Sequence, residues 1–144
     1  GRDLYTAAST EATYAHLAAR TQALLAAGVP VIVDAAFLRR SQREAFRTLA
    51  AEAGVRFAIL DCQAPMAVLQ QRIAERRARG NDASEADQSV LALLAAKQEP
   101  LTDHERAHAI GLRTDQTVDL AGVISRWWRP AGGDGAARSP ALPG

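Results

Sequence analysis

The sequence predicts a three-layer α/β/α fold built on a parallel sheet. Three observations carry that prediction. Alanine-rich segments with helical periodicity end at Gly28, Gly54 and Gly80, as expected of glycines that stop helices. Short apolar, β-branched runs follow the first two glycines, Val29 to Asp34 and Val55 to Asp61. Neither run alternates polar with apolar, which is the pattern of a strand covered on both faces.

The elements follow in order. A first helix is expected from about Thr10 to Ala27, then the strand ending at Asp34. Ser41 and Glu44 have capping-box spacing and predict the start of the second helix. The strand ending at Asp61 comes next, and Pro65 fits the first turn of a helix from Met66 to Arg79. Ser84 is a candidate N-cap, with Glu85 and Asp87 complementing the helix dipole, and that helix stops before Pro100. Thr102 and Glu105 repeat the capping-box spacing. A weaker third strand, Ala109 to Arg113, precedes a last helix from Thr117 to Trp128. The order α-β-α-β-α-α-β-α stacks into three layers through right-handed crossovers. Residues 1–128 are read as one body with a lid near residues 72–87. Residues 129–144 have little to bury and are read as a disordered tail.

Composition narrows the possibilities. The chain has 144 residues and a formal net charge of +1, from 17 basic and 16 acidic side chains. Near-neutrality gives no whole-chain electrostatic argument for nucleic acid or an anionic membrane. Alanine fills 32 positions, so the core is expected to lean on closely packed helices. No apolar run approaches the roughly 18 residues of a membrane span. With Cys62 as the single cysteine there is no internal disulfide, and a reducing, cytoplasmic setting is the expectation. Cys62 itself reads as a small buried hydrophobe. Of the basic residues 16 are arginine, so any phosphate contact is expected to come from a guanidinium.

In open α/β sheets, ligands bind beyond the carboxyl ends of the strands. Asp34 is expected at such an end, where an acid can hold magnesium through water or accept a proton from a hydroxyl. A solvated strand terminus explains it equally well. Asp61 is read as the blander of the two strand-end acids. Arg39 and Arg40 sit just before a helix, where cations oppose the dipole unless an anion is present. Arg43 and Arg47 extend that face, with Glu44 as a partial neutraliser. Arg72, Arg76 and Arg79 share one helix face ahead of Gly80-Asn81-Asp82, the layout of a lid that brings arginines over transferring phosphates. A solvated basic helix is the plain alternative. His104 and His108 lack a third ligand partner. Trp127 and Trp128 read as a packing anchor at a helix end.

Taken together, the stretch from Val31 to Arg43, the stretch from Phe57 to Cys62, and Arg72 to Arg76 with Asn81 to Asp87 resemble the AAA-type P-loop kinase-like domains. These are related to polynucleotide, gluconate and zeta-toxin-type kinases. The resemblance covers about Leu4 to Leu120. It implies ATP and Mg2+ as cofactors and a small-molecule substrate. Asp34 would lie near magnesium or the phosphoryl acceptor, and Arg39, Arg40 and Arg43 would face the substrate. Arg72 and Arg76 would belong to the lid over ATP, and Thr114 and Asp115 would approach the adenine. Similar domains often follow an aminoglycoside-phosphotransferase-like domain, which makes an upstream domain a candidate partner.

The family's opening strand and its G-x-x-x-x-G-K-[ST] phosphate loop are not spelled anywhere in the 144 residues. The expectation is therefore the C-terminal portion of such a domain, binding ATP weakly as it stands. A non-catalytic α/β interaction module is the alternative. A Rossmann-like binder is disfavoured, because no G-x-G-x-x-G follows either strand.

Overall fold

The computed structural model describes residues 7–80 and 86–128. Among the described residues eight elements are present: α1 (Ala7–Ala26), α2 (Arg40–Glu52), β1 (Ile59–Gln63), α3 (Met66–Arg79), α4 (Ala86–Lys97), α5 (Asp103–Arg106), β2 (Ala109–Arg113) and α6 (Leu120–Trp128). The protein is mixed α/β with a two-stranded parallel sheet. Contacts group these elements into two units, one reaching to Phe57 and the other beginning at Ala58.

In the first unit α1 packs on α2. Phe46 and Ala50 of α2 supply its buried apolar side chains. Thr21, buried in α1, returns its hydroxyl to the Leu17 carbonyl at 2.8 Å and so leaves no polar group stranded. Gly28 and Gly54 end their helices with φ of 78° and 65°, the left-handed position that favours glycine.

The strand expected at Val29 to Asp34 does not form. The segment carries no ladder, and Ile32 is 85% exposed. The reason is physical: a strand is stabilised by its neighbour, and no described strand lies alongside this one. The start of α2 also differs from expectation. Arg39, not Ser41, holds the N-cap position, and its N–H donates to the Gln42 Oε1 at 3.1 Å. Glu44 is instead engaged by Arg47, whose Nε donates at 3.0 Å.

In the second unit β1 and β2 run parallel with Ile59 opposite Ala109 and Gln63 opposite Arg113. The pairing extends past both ends, through Ile59 N to His108 O and Thr114 N to Gln63 O, each 2.9 Å. This register moves β1 four residues beyond its expected start and two beyond Asp61. Ile110, 4% exposed, is the buried apolar residue of the pair. Cys62 is exposed and not the buried hydrophobe expected, because β1 leaves that face uncovered.

Helix α3 begins directly after Pro65, but Gly80 closes it with φ −119° and no left-handed turn. The Thr102–Glu105 capping box forms as spaced: Glu105 N–H donates to Thr102 Oγ1 at 3.1 Å, and Thr102 N–H to Glu105 Oε2 at 2.7 Å. For α6 the cap is Asp119, whose Oδ1 accepts from the Gly122 N–H at 3.0 Å, so the helix starts later than Thr117. Ser84, with the rest of residues 81–85, and the tail from residue 129 lie outside the described residues. No described helix is long and apolar enough to cross a membrane.

Candidate functional site

The carboxyl ends of β1 and β2 are the best-defined polar centre of the second unit. Two adjacent parallel strands finish at Gln63 and Arg113, and the chain turns at Thr114. Arg72, on the second turn of α3, reaches this turn. Its Nη1 donates to Thr114 Oγ1 at 3.0 Å and its Nη2 to the Thr114 carbonyl at 2.6 Å. A single planar guanidinium thus holds both a hydroxyl and a carbonyl of one residue, the use to which its fork geometry is suited.

Arg113 and Asp115 flank Thr114 and pair with each other. Arg113 Nε and Nη2 each donate at 2.9 Å, one to each carboxylate oxygen. The hydrogen bonds from Arg113 hold the Asp115 carboxyl below the ordinary aspartate range, and the nearby positive charges of Arg113 and Arg72 act in the same direction. Gln63, Ala64, Pro65 and Arg113 line a shallow cavity of about 220 Å³ beside this network.

The sequence-predicted residues thus divide. Arg72, Thr114 and Asp115 come together at the strand ends. Arg76, one turn beyond Arg72 on α3, is exposed. Asp61 lies within β1, where it accepts from Gln63 Nε2 at 2.9 Å, so Gln63 takes the strand-end place expected for it. Asp34, Arg39 and Arg40 belong to the first unit and are all exposed. Arg43, expected to face the substrate, is instead 5% exposed and donates from Nη1 to the Phe37 carbonyl at 3.0 Å. Sequence reasoning missed Gln63, Arg113 and Phe37. The Arg113-Thr114-Asp115 triplet did carry a signal, since opposite charges two residues apart at a strand end are close enough to pair.

Residues 1–101 match a known family, described as the AAA domain. The chain belongs to the AAA domain family. The match takes in Asp34, Arg39, Arg72 and Arg76 and stops short of β2. No curated protein and no solved structure matches the chain. The mixed α/β architecture is consistent with a P-loop kinase-like fold, and AAA-type domains of this kind generally bind nucleotide with Mg2+.

The described residues bear on that pair in two ways. Among them no three His, Cys, Asp or Glu side chains gather as a metal cage. Magnesium needs none, because it keeps several waters and is shared between one or two carboxylates and substrate phosphates. The exposed Asp34 carboxylate suits that role in this AAA domain. The exposed guanidinium groups of Arg39 and Arg76 suit phosphate oxygens.

Proposed function

We propose that this AAA domain serves ATP-dependent phosphoryl transfer to the hydroxyl of a small molecule. The observation that carries the reading is the Arg72–Thr114 clamp beyond the carboxyl ends of the parallel pair, inside a chain of this family. That is where α/β sheets take ligands. MgATP supplies the transferable phosphoryl group and the metal that neutralises its charge. Asp34 holds the metal through water or accepts the proton of the acceptor hydroxyl. Arg39 and Arg40 meet the acidic part of the substrate. Arg76 neutralises charge on the phosphates, and Arg72 fixes the Thr114–Asp115 turn on the adenine side. An upstream domain of the aminoglycoside-phosphotransferase type in the same polypeptide is the partner this reading names.

The test is isothermal titration of MgATP into the 144-residue chain and its Arg72→Ala and Arg76→Ala variants. The 144 residues do not spell a phosphate loop, so the expected affinity is weaker than about micromolar. Both variants are expected to weaken it further. Absence of any heat at millimolar nucleotide sinks the nucleotide reading. Sub-micromolar affinity contradicts the role assigned to the missing loop motif.

A second reading, a non-catalytic interaction module, draws on the exposed apolar side chains Ile32, Leu93, Leu120 and Ile124, which are 85%, 52%, 68% and 59% exposed. The same titration separates the two, because a module of that kind gives no MgATP signal.

A further inference from the structure

Phe37 is the one non-glycine described residue with positive φ, at 46°. A bulky side chain pays a steric cost in that left-handed region, so the surrounding structure must impose it. Two hydrogen bonds and two ring contacts do so. The Phe37 N–H donates to Tyr14 Oη at 2.9 Å. The Phe37 carbonyl accepts from Arg43 Nη1 at 3.0 Å. The Phe37 ring stands edge-on to Tyr14 and to Phe46, with centroids 5.3 and 5.2 Å away. The turn is thus gripped on both its peptide groups and on its side chain, by α1 on one side and α2 on the other.

Its place in the chain gives this grip a meaning. Asp34 lies three residues before Phe37 and Arg39 two residues after it. A guanidinium at 5% exposure is expensive to keep without acceptors, and an apolar side chain would fill the same space. Its use here is to fix a backbone carbonyl. We propose that Tyr14 and Arg43 are positioning residues: by holding the two sides of Phe37 they set the turn that presents Asp34 to the metal and Arg39 to the anion. This rests on the reading of Asp34 given above. It also moves Arg43 from the substrate to the framework behind it.

The experiment uses the full 144-residue chain, with Mn2+ in the presence of ATP as the probe, and the variants Tyr14→Phe and Arg43→Met. Tyr14→Phe removes one hydroxyl and keeps the ring, so it reports even if Arg43→Met fails to fold. Two quantities are read by nuclear magnetic resonance. One is hydrogen exchange of the Phe37 amide against amides in the last turn of α2. The other is paramagnetic broadening of the Asp34 and Arg39 amides as Mn2+ is added. In Tyr14→Phe, Phe37 exchange is expected to rise about tenfold while the last turn of α2 is unchanged. The Mn2+ concentration needed to broaden Asp34 is expected to rise about tenfold, as for loss of a group that orients a metal ligand. Unchanged Phe37 exchange overturns the proposal. Faster exchange with unchanged Mn2+ binding overturns it too, since the turn then positions nothing. If wild-type Asp34 shows no broadening, the metal reading of Asp34 is wrong and the positioning role falls with it. That result is distinct, because it is seen before any substitution is made.

Discussion

Arg72 holds Thr114 by two hydrogen bonds, one to the hydroxyl and one to the carbonyl, across 42 residues of sequence. The hydroxyl in turn lies 3.3 Å from the Gln63 carbonyl. Helix α3, the end of β1 and the turn after β2 are thereby joined through one side chain. Replacing Arg72 by Ala is expected to lower stability by about 1 kcal/mol or less, since these groups are exposed and water replaces part of what is lost. Arg72→Lys is expected to recover little, because an ammonium cannot reproduce the fork. Urea unfolding of the three chains checks both statements.

The Arg113–Asp115 pair predicts a pH response. Arg113 holds the Asp115 carboxyl low, so the folded state binds this proton more weakly than the unfolded chain does. The stabilisation is present above the ordinary aspartate value of about 3.9 and is lost as pH falls through the lowered one. Carbon-detected titration of Asp115 is expected to give a midpoint below that value. Arg113→Gln is expected to return it most of the way, and Arg72→Ala to move it less, since the field of Arg72 is the smallest contributor.

Asp119 and Gly122 predict a non-additive pair. A Cβ at Gly122 would collide with Asp119 Oδ2, in the carboxylate that caps α6. Gly122→Ala therefore gains about 1 kcal/mol of helix propensity and loses a cap of similar worth, for a net change near zero. In an Asp119→Ala background the same substitution is expected to stabilise. Thermal melts of the two singles and the double give the coupling directly.

Thr102→Ala is expected to cost about 1 kcal/mol, because it removes one half of a reciprocal cap. The loss is expected to show first as faster exchange of the Glu105 amide, measured by mass spectrometry or nuclear magnetic resonance.

These elements also show how far the sequence could be read. Helix Met66–Arg79, strand Ala109–Arg113 and the Thr102–Glu105 box were legible because each rests on local signals: a proline, a short apolar run, a spacing of three. The extent of β1 was not, because its ends are set by β2 through His108 and Thr114, far along the chain. The run Val29 to Asp34 has a strand's composition and no ladder, since composition does not supply a neighbour. At the candidate site, the arginines of α3 and the Thr114–Asp115 turn could be named in advance, but not the clamp between Arg72 and Thr114. Arg43 was misplaced because an arginine in a basic run reads as surface, whereas here it is buried and donates to the carbonyl of the left-handed Phe37.

The ribbon formed by β1 and β2 has one further consequence. Among the described residues no third strand pairs with β1 or β2, and Leu60 on β1 is 41% exposed. An unpaired strand flank is a template for strand addition. Association that rises with protein concentration is the expected outcome, and light scattering across a dilution series checks it.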